Sequence, residues 1–152
     1  MNVGVLRALL EQTVALQLAT VDEGLVPRSV RALGVSFDAE SGLLSLALSD
    51  AQSVAFRAAL GRAGRLAVNL TNPVTFQGVQ VKGPLVRLEE ASVDAVAAVA
   101  RYRETFLGAL ESVGFQRAKV AGLFCTGPAR WVRMEPREIY NQTPGPGAGA
   151  LL

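Results

Sequence analysis

The chain has 152 residues, half of them hydrophobic and only 18% charged, with a formal net charge of +2. That length allows one domain with a real core, and basic residues dispersed among acids give no run of the kind that binds nucleic acid. Histidine is absent and cysteine occurs once, which removes an internal disulfide, any Cys-rich metal site and every Ser-His or Cys-His nucleophile pair, so that an enzyme built on this chain is expected to take its reactive atoms from a cofactor.

A charged share below the usual figure of about 25% implies that some surface is covered, and a homodimer is expected on that ground. No charged leader opens the chain and no apolar run approaches a membrane span, so a cytoplasmic protein without membrane contact is expected. Cys125 lies in the apolar run Gly122-Leu123-Phe124-Cys125, where a buried, inert thiol is the plainer reading than a nucleophile.

Asn2 is placed to cap a short helix to about Gln12, with Leu6, Leu9 and Leu10 inward. The alternation Val14, Leu16, Leu18 predicts a strand over Thr13 to Val21, and Asp22-Glu23-Gly24 turns it into a second over Val26 to Phe37. Arg28 and Arg31 are oddly spaced on that strand and so fall on opposite faces; each either snorkels at an edge or aims at an anion or partner. After a turn at Asp38 to Gly42, a third strand covers Leu43 to Leu48. Ser49-Asp50-Ala51-Gln52 has capping-box spacing, predicting a helix from Ser49 to about Gly61. A strand end meeting a helix start makes a phosphate seat within reach of Ser49 or Ser53, but Asp50 already occupies the favourable field; the seat and the plain cap are equally good readings.

Gly64 to Thr71 reads as a fourth strand. The stretch Val74 to Glu90 is a long strand: Val79 and Val81 alternate with Gln80 and Lys82, whereas Val86 and Leu88 alternate with Arg87 and Glu89, so parity changes and a bulge or bend is expected at Gly83-Pro84. Ser92 caps a helix to about Val113 with two apolar stripes, Val93, Val96, Ala97 and Ala100 on one side and Val99, Tyr102, Phe106 and Leu110 on the other. A shorter helix spans Phe115 to Phe124. On the strand Ala129 to Glu135, Trp131 and Arg133 share a face, either for a planar ligand or subunit contact or as core packing. From Tyr140 onward the Pro/Gly-rich ending has too little restraint to fold alone and reads as a frayed tail or an ordered arm.

The succession LATVDEGLVPRSVRALGV, LLSLALSDAQSVAF, RLAVNL and VQVKGPLVRLEE resembles the pyridoxamine 5'-phosphate oxidase-like family of flavin-binding split barrels over roughly Val14 to Glu90. The long helix, the Arg-Trp strand and the QTPGPGAG ending resemble an uncharacterised branch of that superfamily. The resemblance implies a mainly β fold with helices (α+β), a homodimeric antiparallel split β-barrel of six or seven strands over residues 1–142, followed by an arm at 143–152. It implies FMN at the dimer interface, exchanging hydride or electrons with a small substrate. Carried over, Arg28, Ser29, Val30 and Arg31 line the flavin, Ser49 and Ser53 meet its phosphate, and Gln80 with Lys82 approach from the long strand. Trp131 and Arg133 stand where the family often brings a residue across from the second subunit. Val54 replaces the family's usual Lys or Arg after the phosphate-contacting Ser or Thr, so Arg28, Arg31 or Arg57 has to compensate. The substrate-binding histidine and arginines of the true oxidase have no match, which argues against pyridoxamine phosphate as substrate. A non-catalytic protein binding flavin, deazaflavin, heme or another small ligand is the alternative, and a dimeric scaffold with an empty groove is a third.

Overall fold

The computed structural model describes residues 2–124 and 126–152, so the reading of Cys125 lies outside the described residues. Helix α1 (Val3–Leu10) is followed by strands β1 (Ala15–Val21), β2 (Pro27–Arg31), β3 (Val35–Phe37) and β4 (Leu44–Ser49), helix α2 (Val54–Ala63), and strands β5 (Arg65–Thr71) and β6 (Gly78–Ala91). The long helix α3 (Val93–Ser112), the short α4 (Arg117–Val120) with a 3₁₀ turn after it, and strands β7 (Ala129–Met134) and β8 (Glu138–Asn141) complete the chain. All pairings are antiparallel in the order β2-β1-β5-β6-β7-β4-β3, with β8 also on β6. This is the expected α+β antiparallel split barrel, with eight strands.

Two of those strands come from the segment Val26 to Phe37, which divides at Ala32-Leu33-Gly34. Ala32 still donates to Leu16 O on the β1 side, whereas Leu33 donates to Ala47 O and Gly34 accepts from Ala47 N. The chain thus changes neighbours from β1 to β4 within three residues and closes the barrel. A Cβ at Gly34 would sit 3.1 Å from the Ala47 Cβ, a tight fit that suits glycine at the crossing. The eighth strand, β8, carries no alternation long enough to announce it and gains its hydrogen bonds from Val79 to Lys82 of β6.

The parity change in β6 lies later than the sequence suggests. Val79, Val81, Gly83 and Leu85 all face inward, and the β6–β7 register then shifts between Leu85 and Arg87, leaving Val86 as the bulged, exposed residue. A second shift follows between Leu88 and Ala91. Gly83 has another role. A Cβ there would fall 1.9 Å from the Glu135 carbonyl oxygen, so the β7–β8 connection can cross β6 only over glycine. The strand also starts at Gly78 rather than Val74, because the Asn72 side-chain oxygen accepts from both Val74 N and Thr75 N and holds the preceding residues in a turn.

Inward residues of β1, β5, β6 and β8 (Leu16, Leu18, Val68, Leu70, Val81, Ile139) meet those of β4 and β7 (Leu44, Leu46, Leu48, Val132, Met134), with Phe56 and Leu60 of α2 and Leu6 of α1 packed into the same core. Each such side chain contributes about 2 kcal/mol on burial. A second core lies outside the barrel, where Ala95, Ala98, Val99, Phe106 and Leu107 of α3 cover Ala47 and Trp131. Ser92 caps α3 as expected, its hydroxyl accepting from Ala95 N at 3.2 Å. The stripe of Val93, Val96, Ala97 and Ala100 is exposed in the subunit, so α3 has one intramolecular packing face rather than two. No helix among the described residues is long and apolar enough to cross a membrane.

Candidate functional site

With α3 lying over β4 and β7, the outer face of β2-β1-β5-β6-β8 stays uncovered. Register fixes what it presents. One cross-strand row runs Arg31, Gln17, Asn69, Gln80, Tyr140 and the next Ser29, Ala19, Ala67, Lys82, Glu138. Ser29, Arg31, Gln80 and Lys82, picked out in the sequence, therefore share one open face in two adjacent rows. Lys82 Nζ sits 4.6 Å from the Tyr140 ring centroid, and the Tyr140 hydroxyl donates to Glu138, which raises its pKa above the ordinary tyrosine value. Arg31 lies at the margin, its guanidinium carbon 5.7 Å from the Phe106 ring centroid and so turned toward α3.

At one end of this face is a cavity of about 690 Å³, with Ala19, Ala67, Pro27 and Pro84 among its apolar lining and Arg65, Lys82, Arg137 and Glu138 among its polar lining. Gln17, Asn69, Arg65 and Tyr140 are face residues that sequence reasoning passed over. Gln17 stands between Leu16 and Leu18 and Asn69 between Val68 and Leu70, so the period-two pattern marks them as outward; Tyr140 needed β8.

The other sequence-derived residues fall elsewhere. Val30 turns inward opposite Leu18 and is buried. Arg28, on the face opposite Arg31, pairs with Asp22 at 2.9 Å, and the Val26 amide and Arg28 together hold the Asp22 carboxyl below the usual carboxylate range. Before α2, residues Asp50 to Ser53 form a turn and the helix begins one turn later than the capping box suggests, because Asp50 N is held by Pro128 O, just before the start of β7. Ser49 Oγ accepts from Gln52 N at 3.4 Å, while Ser53 is fully buried with its hydroxyl donating to Ser49 O at 2.6 Å and accepting from Arg57 Nε at 3.0 Å. Asp50 Oδ1 then receives Arg57 at 3.0 Å and Arg130 at 2.5 Å. The phosphate-like position at this strand-to-helix turn is filled by the chain's own carboxylate.

Trp131 is 6% exposed beneath α3, with its indole N–H donating to Asp94 at 2.9 Å. Arg133 donates to Glu89 at 2.6 Å and to Ser45 at 3.0 Å, and Glu89 also links to Arg130 through its backbone oxygen. Ser49, Ser53, Arg57 and Arg133 thus belong to one internal polar network on the β4–β7 side, and no hydrogen bond or ion pair among the described residues joins it to the open face. No group of His, Cys, Asp and Glu among the described residues is arranged to hold a metal.

No family model matches the chain, and no curated protein is similar to it in sequence. Solved structures share its fold. A pyridoxamine 5'-phosphate oxidase-related, FMN-binding protein from Nostoc punctiforme superposes with a TM-score of 0.56 at 15% identity, covering 91% of this chain and 81% of that one. HupZ of Group A Streptococcus superposes at 0.55 and 15% identity over 98% and 99% of the two chains, and an F420 reductase at 0.54 and 15% identity over 88% and 94%. The class is therefore the split barrel of the pyridoxamine 5'-phosphate oxidase type, established at the level of fold.

Proposed function

We propose that the chain binds a flavin-type cofactor, FMN in the first instance, on the open face of β2-β1-β5-β6-β8, between two copies of itself, and uses it in oxidoreduction of a small substrate. The observation that carries this reading is the convergence of Ser29, Arg31, Gln80 and Lys82 on one uncovered face. Sharing the fold with one FMN-binding protein and one F420 reductase supports it. The centre of the face is made of amides and alanines, Gln17, Asn69, Gln80, Ala19 and Ala67, the charge-poor composition of an interface core, which supports a second copy as the cover. The face suits a flat ring: the alanines leave room over the sheet, and the Gln80 and Asn69 amides supply donors and acceptors at its plane. The turn before α2 does not suit a phosphate, because Asp50 would repel it.

A bound flavin supplies hydride or electron transfer. The chain's own part is to seat the ring against β1, β5 and β6, to orient it through Ser29, Gln80 and Asn69, and to exclude water by closing one copy on the other. The proposed setting is the cytoplasm, in keeping with a single cysteine.

The test is a thermal shift with FMN alongside an absorption spectrum of the mixture. At a hundredfold excess over Kd, ligand adds about 2.7 kcal/mol, a rise of several degrees. No shift with FMN or with a deazaflavin sinks the reading. Asp50, held by Arg57 and Arg130, favours the second reading of a binding protein without catalysis; a yellow protein that no substrate or reductant turns over selects it.

A further inference from the structure

The hollow at the end of the open face has a chemistry of its own. Ala19 and Ala67 are direct cross-strand partners, so two adjacent strands present only methyl groups there and a planar group can lie close to the backbone. Pro84 stands opposite Arg65 and Pro27 opposite Val21, giving apolar walls at the rim. Its volume of about 690 Å³ falls within the range of small-molecule sites.

The charges around it are unequal in their commitments. Arg137 is held by Glu135 at 2.8 Å, and the Glu138 carboxylate receives the Tyr140 hydroxyl. Neither Arg65 nor Lys82 has a carboxylate within ion-pair distance among the described residues. Lys82 is half-buried and lies over the Tyr140 ring. The hollow therefore carries two cations that no salt bridge holds, beside an apolar floor and a single lining carboxylate, Glu138, the cross-strand neighbour of Lys82, which accepts the Tyr140 hydroxyl. Arg65 is exposed; Arg57, Arg130 and Arg133 of the β4–β7 network are by contrast all paired.

We propose that this hollow binds a flat apolar acid, a fused aromatic ring carrying a carboxylate or phosphate, with Ala19 and Ala67 as its floor and Arg65 and Lys82 as its countercharge. The proposal gives the ligand's anionic end a seat in place of the one Asp50 fills. It rests on the flavin reading only for whether that acid is the cofactor or the substrate.

The probe is 2-naphthoate, titrated into the ¹⁵N-labelled chain without flavin, with neutral 2-naphthamide as the comparison. Saturable shifts are expected at the amides of Ala19, Ala67 and Lys82, with the amide analogue binding about tenfold more weakly. Arg65→Gln and Lys82→Gln each weaken naphthoate about three- to fivefold and leave naphthamide unchanged, while the rest of the spectrum reports an intact fold. Equal affinity for acid and amide, or shifts centred elsewhere, overturns the proposal. With naphthoate bound in the expected way, FMN that displaces it identifies the acid as the cofactor, and FMN that binds beside it identifies a substrate. Naphthoate binding with no response to FMN upholds the hollow while the flavin reading falls.

Discussion

A Gly83→Ala substitution puts a methyl carbon 1.9 Å from the Glu135 carbonyl oxygen, 3.0 Å from its carbon and 3.3 Å from Arg137 N, all backbone atoms that cannot rotate away. The β7–β8 connection has to retreat by about 1 Å to reach even the shortest contact a Cβ tolerates. Two hydrogen bonds hold it in place, Glu135 N to Pro84 O at 3.2 Å and Arg137 N to Lys82 O at 2.9 Å. Weakening both costs about 1 kcal/mol each, the overpacking about 1–3 kcal/mol, and the lost chain freedom of glycine returns somewhat under 1 kcal/mol. The expected net loss is about 3 kcal/mol, a large part of a domain's stability and about 10 °C in Tm. Urea unfolding followed by circular dichroism measures it, with Gly108→Ala as the control. Gly108 is on the exposed side of α3 with nothing within 4 Å of an added Cβ, so alanine there stabilises by about 0.5–1 kcal/mol. A Gly83→Ala protein within 1 kcal/mol of the parent refutes the crossing as the reason for glycine. Because Lys82 and Pro84 flank it, the same variant weakens naphthoate binding.

Asp50→Asn removes the charge between Arg57 and Arg130 while Ser53 and the Glu89 backbone oxygen still hold the two arginines. Stability falls by about 1 kcal/mol and inorganic phosphate binds at the turn about tenfold more tightly, read by calorimetry; unchanged phosphate affinity refutes the seat-filling role. Burial raises the pKa of Tyr102, whose hydroxyl donates to Val14 O at 2.7 Å, so the folded chain keeps a proton that the unfolded chain loses at high pH. Stability is full below about pH 10 and declines above it by up to ~1.4 kcal/mol per pH unit. Tyr102→Phe costs about 1 kcal/mol at pH 8 but flattens the decline toward pH 11 in urea unfolding; parallel declines in the two proteins refute the assignment.

The barrel was legible in the sequence because its strands alternate. Val14-Leu16-Leu18, Leu66-Val68-Leu70 and Val79-Val81 each state which side is inward, and Ser92 states where α3 starts. Features decided by distant backbone were not. Nothing local to Gly83 says that Glu135 passes over it, and the alternation alone put the bulge there rather than at Val86. Ala32-Leu33-Gly34 looks like continuing strand until Ala47 arrives to compete for its hydrogen bonds. The open face was half visible: Gln80 and Lys82 showed their direction, but the two rows that bring them together with Ser29 and Arg31 exist only through the β2–β1–β5–β6 register. Asp50 was read as a neighbour of the helix start; its two arginine partners, one from β7, required the fold.

Strand β6 touches β5 along one edge and both β8 and β7 along the other. Synthesis delivers β5 just before β6, but β7 and β8 only after the whole of α3 has been made. While the chain is growing, one side of β6 is bare, with Val79 and Val81 dependent on pairing still to come. The middle of β6 should therefore be the last region to become protected during translation and, once closed, the slowest to exchange its amide protons in the finished protein.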